Sequence, residues 1–239
     1  MLDVRVGGQS FKLRSRASSA IHWPTASGLT TNLGKVSPPA AFYFDLASPL
    51  AYLAAERVLH ALGGPAEWRP VRLASERQSV AREEIERRAL ELGLQPIRWP
   101  EPFPFDSSLG MRVATYAASI GRTVPFAQAA FRQAFAGGHS LEDPNFVLIA
   151  AAACEMHPTA VLRGAEMRST VERLEATTAA AMKAGVGDVP AILIGTQVFT
   201  GEDALERAAE RMRAHATDHS EHHEAKYELQ IQQAGSRSI

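Results

Sequence analysis

The sequence holds a single cysteine, Cys154, so it has no internal disulfide and no C-x-x-C pair. One thiol cannot both form and resolve a mixed disulfide within the chain, which disfavours intramolecular dithiol exchange. Neither sign of charge is in excess. Lys and Arg number 25 against 26 Asp and Glu, a formal net charge of −1, and this supplies no broad basic surface for nucleic acid. No apolar run approaches the roughly 20 residues that cross a bilayer, and no P-loop or G-x-G-x-x-G motif is present to cradle phosphate. What remains is a chain of 239 residues, 46% hydrophobic, able to bury a full core. Its expected setting is the cytoplasm, and neither nucleic acid nor a membrane is expected as its partner.

Residues 1–38 carry Arg5, Lys12, Arg14, Arg16 and Lys35 against Asp3 alone. Such a leader can be a transit peptide, but it shows neither an amphipathic helix nor a signal-type apolar region. Val4 and Val6, Gly7-Gly8, then Phe11 and Leu13 suit a small hairpin, since paired glycines accept the positive φ of a tight turn. The stretch is read as an accessory extension.

Beyond it, Ala41–Leu46 is an apolar, aromatic strand. A helix follows at once, with Ser48 as N-cap, Pro49 in the first helical position and Gly63-Gly64 as the stop. Trp68, Val71 and Leu73 suggest a second strand, against which Pro70 is a mild objection. Strand, helix and strand make a right-handed βαβ unit. Helices are then expected over Glu76–Leu92, from Asp106–Ser108 to Gly121, from Phe126 to Phe135, from Asp143-Pro144 to about Met156, and from Met167 to Ala184. A proline-rich link, Pro96 to Pro104, separates the first of these from the rest. Ala191–Ile194 and Gln197–Phe199 form a hairpin across Gly195-Thr196, and Gly201-Glu202-Asp203 opens a last helix that ends near Ala214. The order is βαβ, a helical block, then αββα. That order is what an α/β, thioredoxin-like fold with an inserted helical subdomain would give, with residues 39–74 and 186–214 expected to form the sheet domain, 75–185 the helices and 215–239 a polar tail.

Three segments make the likeness specific. Phe42-Tyr43-Phe44-Asp45-Leu46-Ala47-Ser48-Pro49-Leu50-Ala51-Tyr52-Leu53 resembles the opening of the 2-hydroxychromene-2-carboxylate isomerases and kappa-class glutathione transferases. Both belong to the DsbA-like branch of the thioredoxin superfamily. Gly187-Asp188-Val189-Pro190-Ala191 resembles that superfamily's cis-proline loop. Phe199-Thr200-Gly201-Glu202-Asp203-Ala204-Leu205 is similar to the closing Phe-Trp-Gly-Gln-Asp-Arg-Leu pattern. The likeness spans about residues 41–214.

The resemblance implies glutathione as the thiol, with Ser48 at its sulfur where redox relatives carry a cysteine. It implies backbone pairing of the glutathione peptide with Val189 beside Pro190. The γ-glutamyl end would lie at Gly201, Glu202 and Asp203, with Asp203 on the amino group. The activity implied is a glutathione-dependent isomerisation of a conjugated aromatic substrate. A kappa-like transferase or a non-catalytic module that binds a peptide or partner is the alternative, and a homodimer is left open. The pattern is not complete. Ala204 stands where arginine is usual, Glu202 where an amide or small polar residue is usual, and Leu73–Val80 lacks the usual lysine and asparagine. Another low-molecular-weight thiol therefore remains an open reading.

Simpler explanations exist for each signal. Ser48-Pro49 is also an ordinary helix start, most X-Pro bonds are trans, and Glu202-Asp203 suits any helix N-terminus. Tyr52 reads as core or pocket wall. Gly138-His139-Ser140-Leu141-Glu142 has the start of a nucleophile elbow without its last glycine or its strand. His215, His219, His222 and His223 sit in the polar tail, a weak metal signal. Cys154, in an alanine-rich helix, is read as a buried small apolar residue.

Overall fold

The computed structural model describes residues 40–73 and 81–215, and the backbone of residues 5–6 and 9–10. Two compact units are distinguished, Met1–Gly34 and Lys35–Ile239. In the first, β1 (Arg5–Val6) pairs antiparallel with β2 (Gln9–Ser10), Val6 opposite Gln9. The antiparallel pairing is that of the expected hairpin, and Gly7-Gly8 lie outside the described residues.

The second unit is built on one sheet of four strands: β3 (Ala40–Phe44), β4 (Ala66–Pro70), β5 (Ala191–Ile194) and β6 (Gln197–Thr200). Their spatial order is β4-β3-β5-β6, with β3 parallel to β4 and antiparallel to β5. All five residues of β3 are buried, so the strand is covered on both faces. Alternation along it sorts the side chains. Phe42 and Phe44 enter the main core beside Trp68, whereas Ala41 and Tyr43 join Val71, Ala181 and Ala191 in a second, smaller cluster. Pro70 is tolerated because it closes the strand instead of interrupting it.

The helix after β3 is shorter than expected. It runs as α1 (Pro49–Ala55), passes through a turn, and resumes as α2 (Val58–Ala61). The Arg57 amide reaches back three residues to the Ala54 carbonyl (3.0 Å), which tightens the chain and ends α1 without a glycine or proline. The helical block contains α3 (Arg82–Glu91), α4 (Ser108–Ser119), α5 (Thr123–Phe131), α6 (Pro144–Ala152), α7 (Pro158–Glu166) and α8 (Arg168–Lys183). Within the described residues α3 begins at Arg82, after a non-helical Ala81 (φ −57°, ψ 136°), and residues 76–80 of the expected helix lie outside them. At the end of α5 one π-turn, Arg132–Ala136, carries the helix on. Asp143 caps α6 as expected, its carboxylate accepting from the Asn145 amide at 2.9 Å.

No expectation covered α7. It crosses α4 so closely that a Cβ on Gly164 would fall 2.3 Å from the Tyr116 ring, so only glycine fits there. The last helix, α9, occupies residues 204–215. It begins three residues later than Gly201, which sits at φ +90°, a conformation suited to glycine. Ala204, Leu205 and Ala208 of α9 pack into the main core. Cys154 is buried at the end of α6 with 6% exposure. No helix among the described residues is long and apolar enough to cross a membrane.

Candidate functional site

The end of β3 places Ser48 at the first turn of α1. Its hydroxyl oxygen accepts from the Ala51 amide at 3.2 Å, satisfying one of the free donors of the helix start. The same hydroxyl donates to the Val189 carbonyl at 3.4 Å. That contact joins residues 141 positions apart and brings the helix start against the proline loop. The Val189–Pro190 bond is cis. Three of the expected site residues therefore meet: Ser48, Val189 and Pro190.

The loop is occupied by its own side chains on both sides of Val189. Asp188 Oδ1 accepts from the Val189 amide at 2.8 Å, and Ser48 holds the carbonyl. An extended peptide that takes the Val189 amide has to displace Asp188, whereas the carbonyl has a second lone pair beside the Ser48 bond. At the amide the exchange trades one hydrogen bond for another, so its net value is close to zero.

Pro190 also lines a cleft of about 150 Å³. Leu50 and Leu53 of α1 and Leu205 of α9 supply its apolar surface, and Arg57, Arg88, Glu202 and Glu206 its charges. Arg88 forks to Glu202 and Asp203, each at 2.9 Å. Arg57 bonds Glu206 at 2.6 Å. Glu202 and Asp203 thus sit in the turn before α9 and face a guanidinium supplied by α3, over a hundred residues away. A guanidinium stands beside this turn although the chain has alanine at 204.

The placement of Arg88 has a traceable cause. Ile85 and Ala89 bury one face of α3 in the main core. At its start, the Arg82 guanidinium lies 5.0 Å from the Trp99 ring and 5.6 Å from the Phe103 ring. The Trp99 indole donates to Glu86 at 2.6 Å. The proline-rich link thereby clamps α3, and the helical spacing turns Arg88 toward the α9 turn. Nothing near Arg88 in sequence announces this role.

Other candidates fall away from the site. Tyr52 is 2% exposed among Phe131 and Phe135, and burial pushes its phenol pKa upward. Burial likewise raises the Cys154 thiol. Ser140 follows a helical turn and not a strand, so the elbow geometry is absent there. No group of three His, Cys, Asp or Glu that could hold a metal occurs among the described residues, and His219, His222 and His223 lie outside them.

Known proteins agree with this architecture. A family model described as a DSBA-like thioredoxin domain matches residues 41–213. Among solved structures, a 2-hydroxychromene-2-carboxylate isomerase superposes with a TM-score of 0.67 at 17% identity, over 76% of this chain and 98% of that one. The cytosolic disulfide reductase DsbM from Pseudomonas aeruginosa superposes with a TM-score of 0.56 at 12% identity, over 75% and 98%. Identities this low carry the fold and not the activity. No curated protein matches the sequence. With the family model spanning well over half its length, the chain belongs to the DsbA-like thioredoxin-domain family.

Proposed function

We propose that the protein is a glutathione-dependent isomerase of the 2-hydroxychromene-2-carboxylate isomerase type, with a kappa-like transferase as the nearest alternative. The observation that carries this reading is the Ser48 hydroxyl at the start of α1, in hydrogen-bond contact with the loop of cis Pro190. Dithiol exchange fits poorly with a chain whose one cysteine is buried far along the helical block.

Glutathione, when bound, supplies a thiolate that adds reversibly to a conjugated aromatic substrate, so that the saturated bond can rotate and the double bond re-form as the thiol leaves. Ser48 keeps accepting from the Ala51 amide while its proton turns from the Val189 carbonyl to the sulfur. With seven residues in α1, the helix dipole adds less than it would in a long helix, and the local hydrogen bonds matter more. A hydrogen bond to a charged group contributes about 1.5–3 kcal/mol, which lowers a thiol pKa by about one to two units. Val189 offers its amide and carbonyl to the peptide once Asp188 and Ser48 release them. Asp203 suits the amino group of the γ-glutamyl end. Arg88 offsets the repulsion that Glu202 would exert on the neighbouring carboxylate. The proposed setting is the cytoplasm.

Calorimetric titration with reduced glutathione tests the reading. Binding at micromolar to millimolar ligand is expected, with the Ser48→Ala variant about tenfold weaker and without thiolate absorbance in the complex. Folded protein that takes up no glutathione at millimolar ligand would sink it. A non-catalytic, peptide-binding module draws on one feature, the ion-paired state of Glu202 and Asp203. It predicts binding of extended peptides without turnover of conjugated substrates.

A further inference from the structure

A second opening lies between α4 and α8, near the end of β4. It encloses about 390 Å³, within the range of small-molecule sites. Val171, Leu174, Ala179 and Met182 form one face of α8 and give it an apolar wall. Met182 is 61% exposed, so its side chain is open to a ligand in the groove.

Opposite stand Arg72 and Arg112. Their circumstances differ. Arg72 reaches Asp106 at 3.2 Å, and both groups are about half exposed, so the pair is easily exchanged. Arg112 is partly buried and, among the described residues, donates no hydrogen bond, but its charge acts on Asp106 together with that of Arg72, so two guanidiniums share one carboxylate. The nearby hydroxyls are already used. Ser108 donates to Asp106, while Thr178 donates to Leu174 and accepts from the Arg72 amide. Asp106 also takes the Ser108 amide at 3.0 Å, and so occupies the start of α4. Two guanidiniums against one carboxylate leave the groove with spare positive charge beside an apolar wall.

The geometry points to a binding site for a small amphiphilic carboxylate, its acid on Arg112 and its aromatic or aliphatic body along Val171, Ala179 and Met182. An arginine fork matches a carboxylate with two parallel N–H···O bonds. Glu175 on the rim and Asp106 at the α4 start repel a second negative charge, so a monoanion is preferred over a dianion. The site is separate from the Ser48 contact and does not depend on the glutathione reading.

The test uses the full chain with 1-naphthoate and its uncharged counterpart, 1-naphthamide, followed by calorimetry. Naphthoate is expected to bind about tenfold tighter than the amide, the value of one charge-assisted hydrogen bond. Arg112→Gln should erase that preference while the amide binds as before. Ala179→Trp, at an exposed position, should fill the groove and weaken both ligands whether or not the arginine variant folds. Saturating glutathione should leave naphthoate bound. The proposal is overturned if naphthoate fails to bind at millimolar concentration, if the charge preference survives in Arg112→Gln, if folded Ala179→Trp binds both ligands unchanged, or if glutathione displaces the probe.

Discussion

Ser48 and Cys154 occupy opposite kinds of environment. The hydroxyl sits at a helix start with an amide pointed at it, partly open, and in contact with the loop across the sheet. The thiol is sealed at the end of α6, where burial raises its pKa above the ordinary thiol range. A sulfur at the first position would be activated, whereas the sulfur at the second is not. Location decides whether this fold has a nucleophile, and the chain's own thiol is in the wrong place.

Exchanging the atoms gives the strongest challenge to this contrast. Ser48→Cys should create a thiol of lowered pKa, as cysteines at helix starts commonly have. Its labelling by a disulfide reagent at neutral pH should outpace that of Cys154 in the unmodified protein by more than about tenfold, since a thiol two pKa units below about 8.5 is mostly thiolate at pH 7 while an ordinary one is a few per cent so. Comparable rates would show that the start of α1 does not stabilise an anion.

A smaller effect is expected at the charged end of the cleft. Arg88→Met leaves Glu202 and Asp203 without their guanidinium, and glutathione binding should weaken several-fold. Stability should fall by no more than about 1 kcal/mol, since both carboxylate partners are well exposed. The binding difference should shrink as salt is raised. An unchanged affinity at low salt would confine Arg88 to joining α3 with the turn before α9.

The smallest change concerns Cys154→Ala, which should leave ligand binding as it is. The pH dependence carries the information. A thiol whose folded pKa is raised contributes stability below its unfolded value, about 8.5, and loses it as pH rises through the folded value. Thermal melts from about pH 7 to 10 should therefore show an alkaline decline that the variant lacks. An identical decline in both proteins would mean that Cys154 titrates as freely folded as unfolded.

Much of the frame is legible in the amino-acid sequence alone. The aromatic run at Ala41–Leu46 and the β-branched run at Ala191–Ile194 can be placed because strand-forming side chains are dense there and turn residues bound them. Ser48, Val189 and Pro190 stand out together, although nothing local shows that the first touches the second. Three features leave no such mark, each for a physical reason. The α1–α2 break has no glycine or proline to signal it. The α7 face turned inward is Val161, Gly164 and Ala165, three small residues in a nine-residue helix, and Gly164 lies against the Tyr116 ring of α4. Arg88 meets its carboxylates through tertiary packing, and an ion pair between distant positions leaves no periodic trace. The same holds for Arg112, which one sequence cannot distinguish from any other surface arginine.

The self-bonded state of Val189 bears on what the protein must avoid. A bare amide and carbonyl beside a sheet invite any passing unfolded chain to zip on as another strand. With Asp188 and Ser48 acting as detachable plugs, a visitor that brings only backbone gains almost nothing by docking. Admission then goes to guests with something extra to offer, such as a sulfur for the hydroxyl.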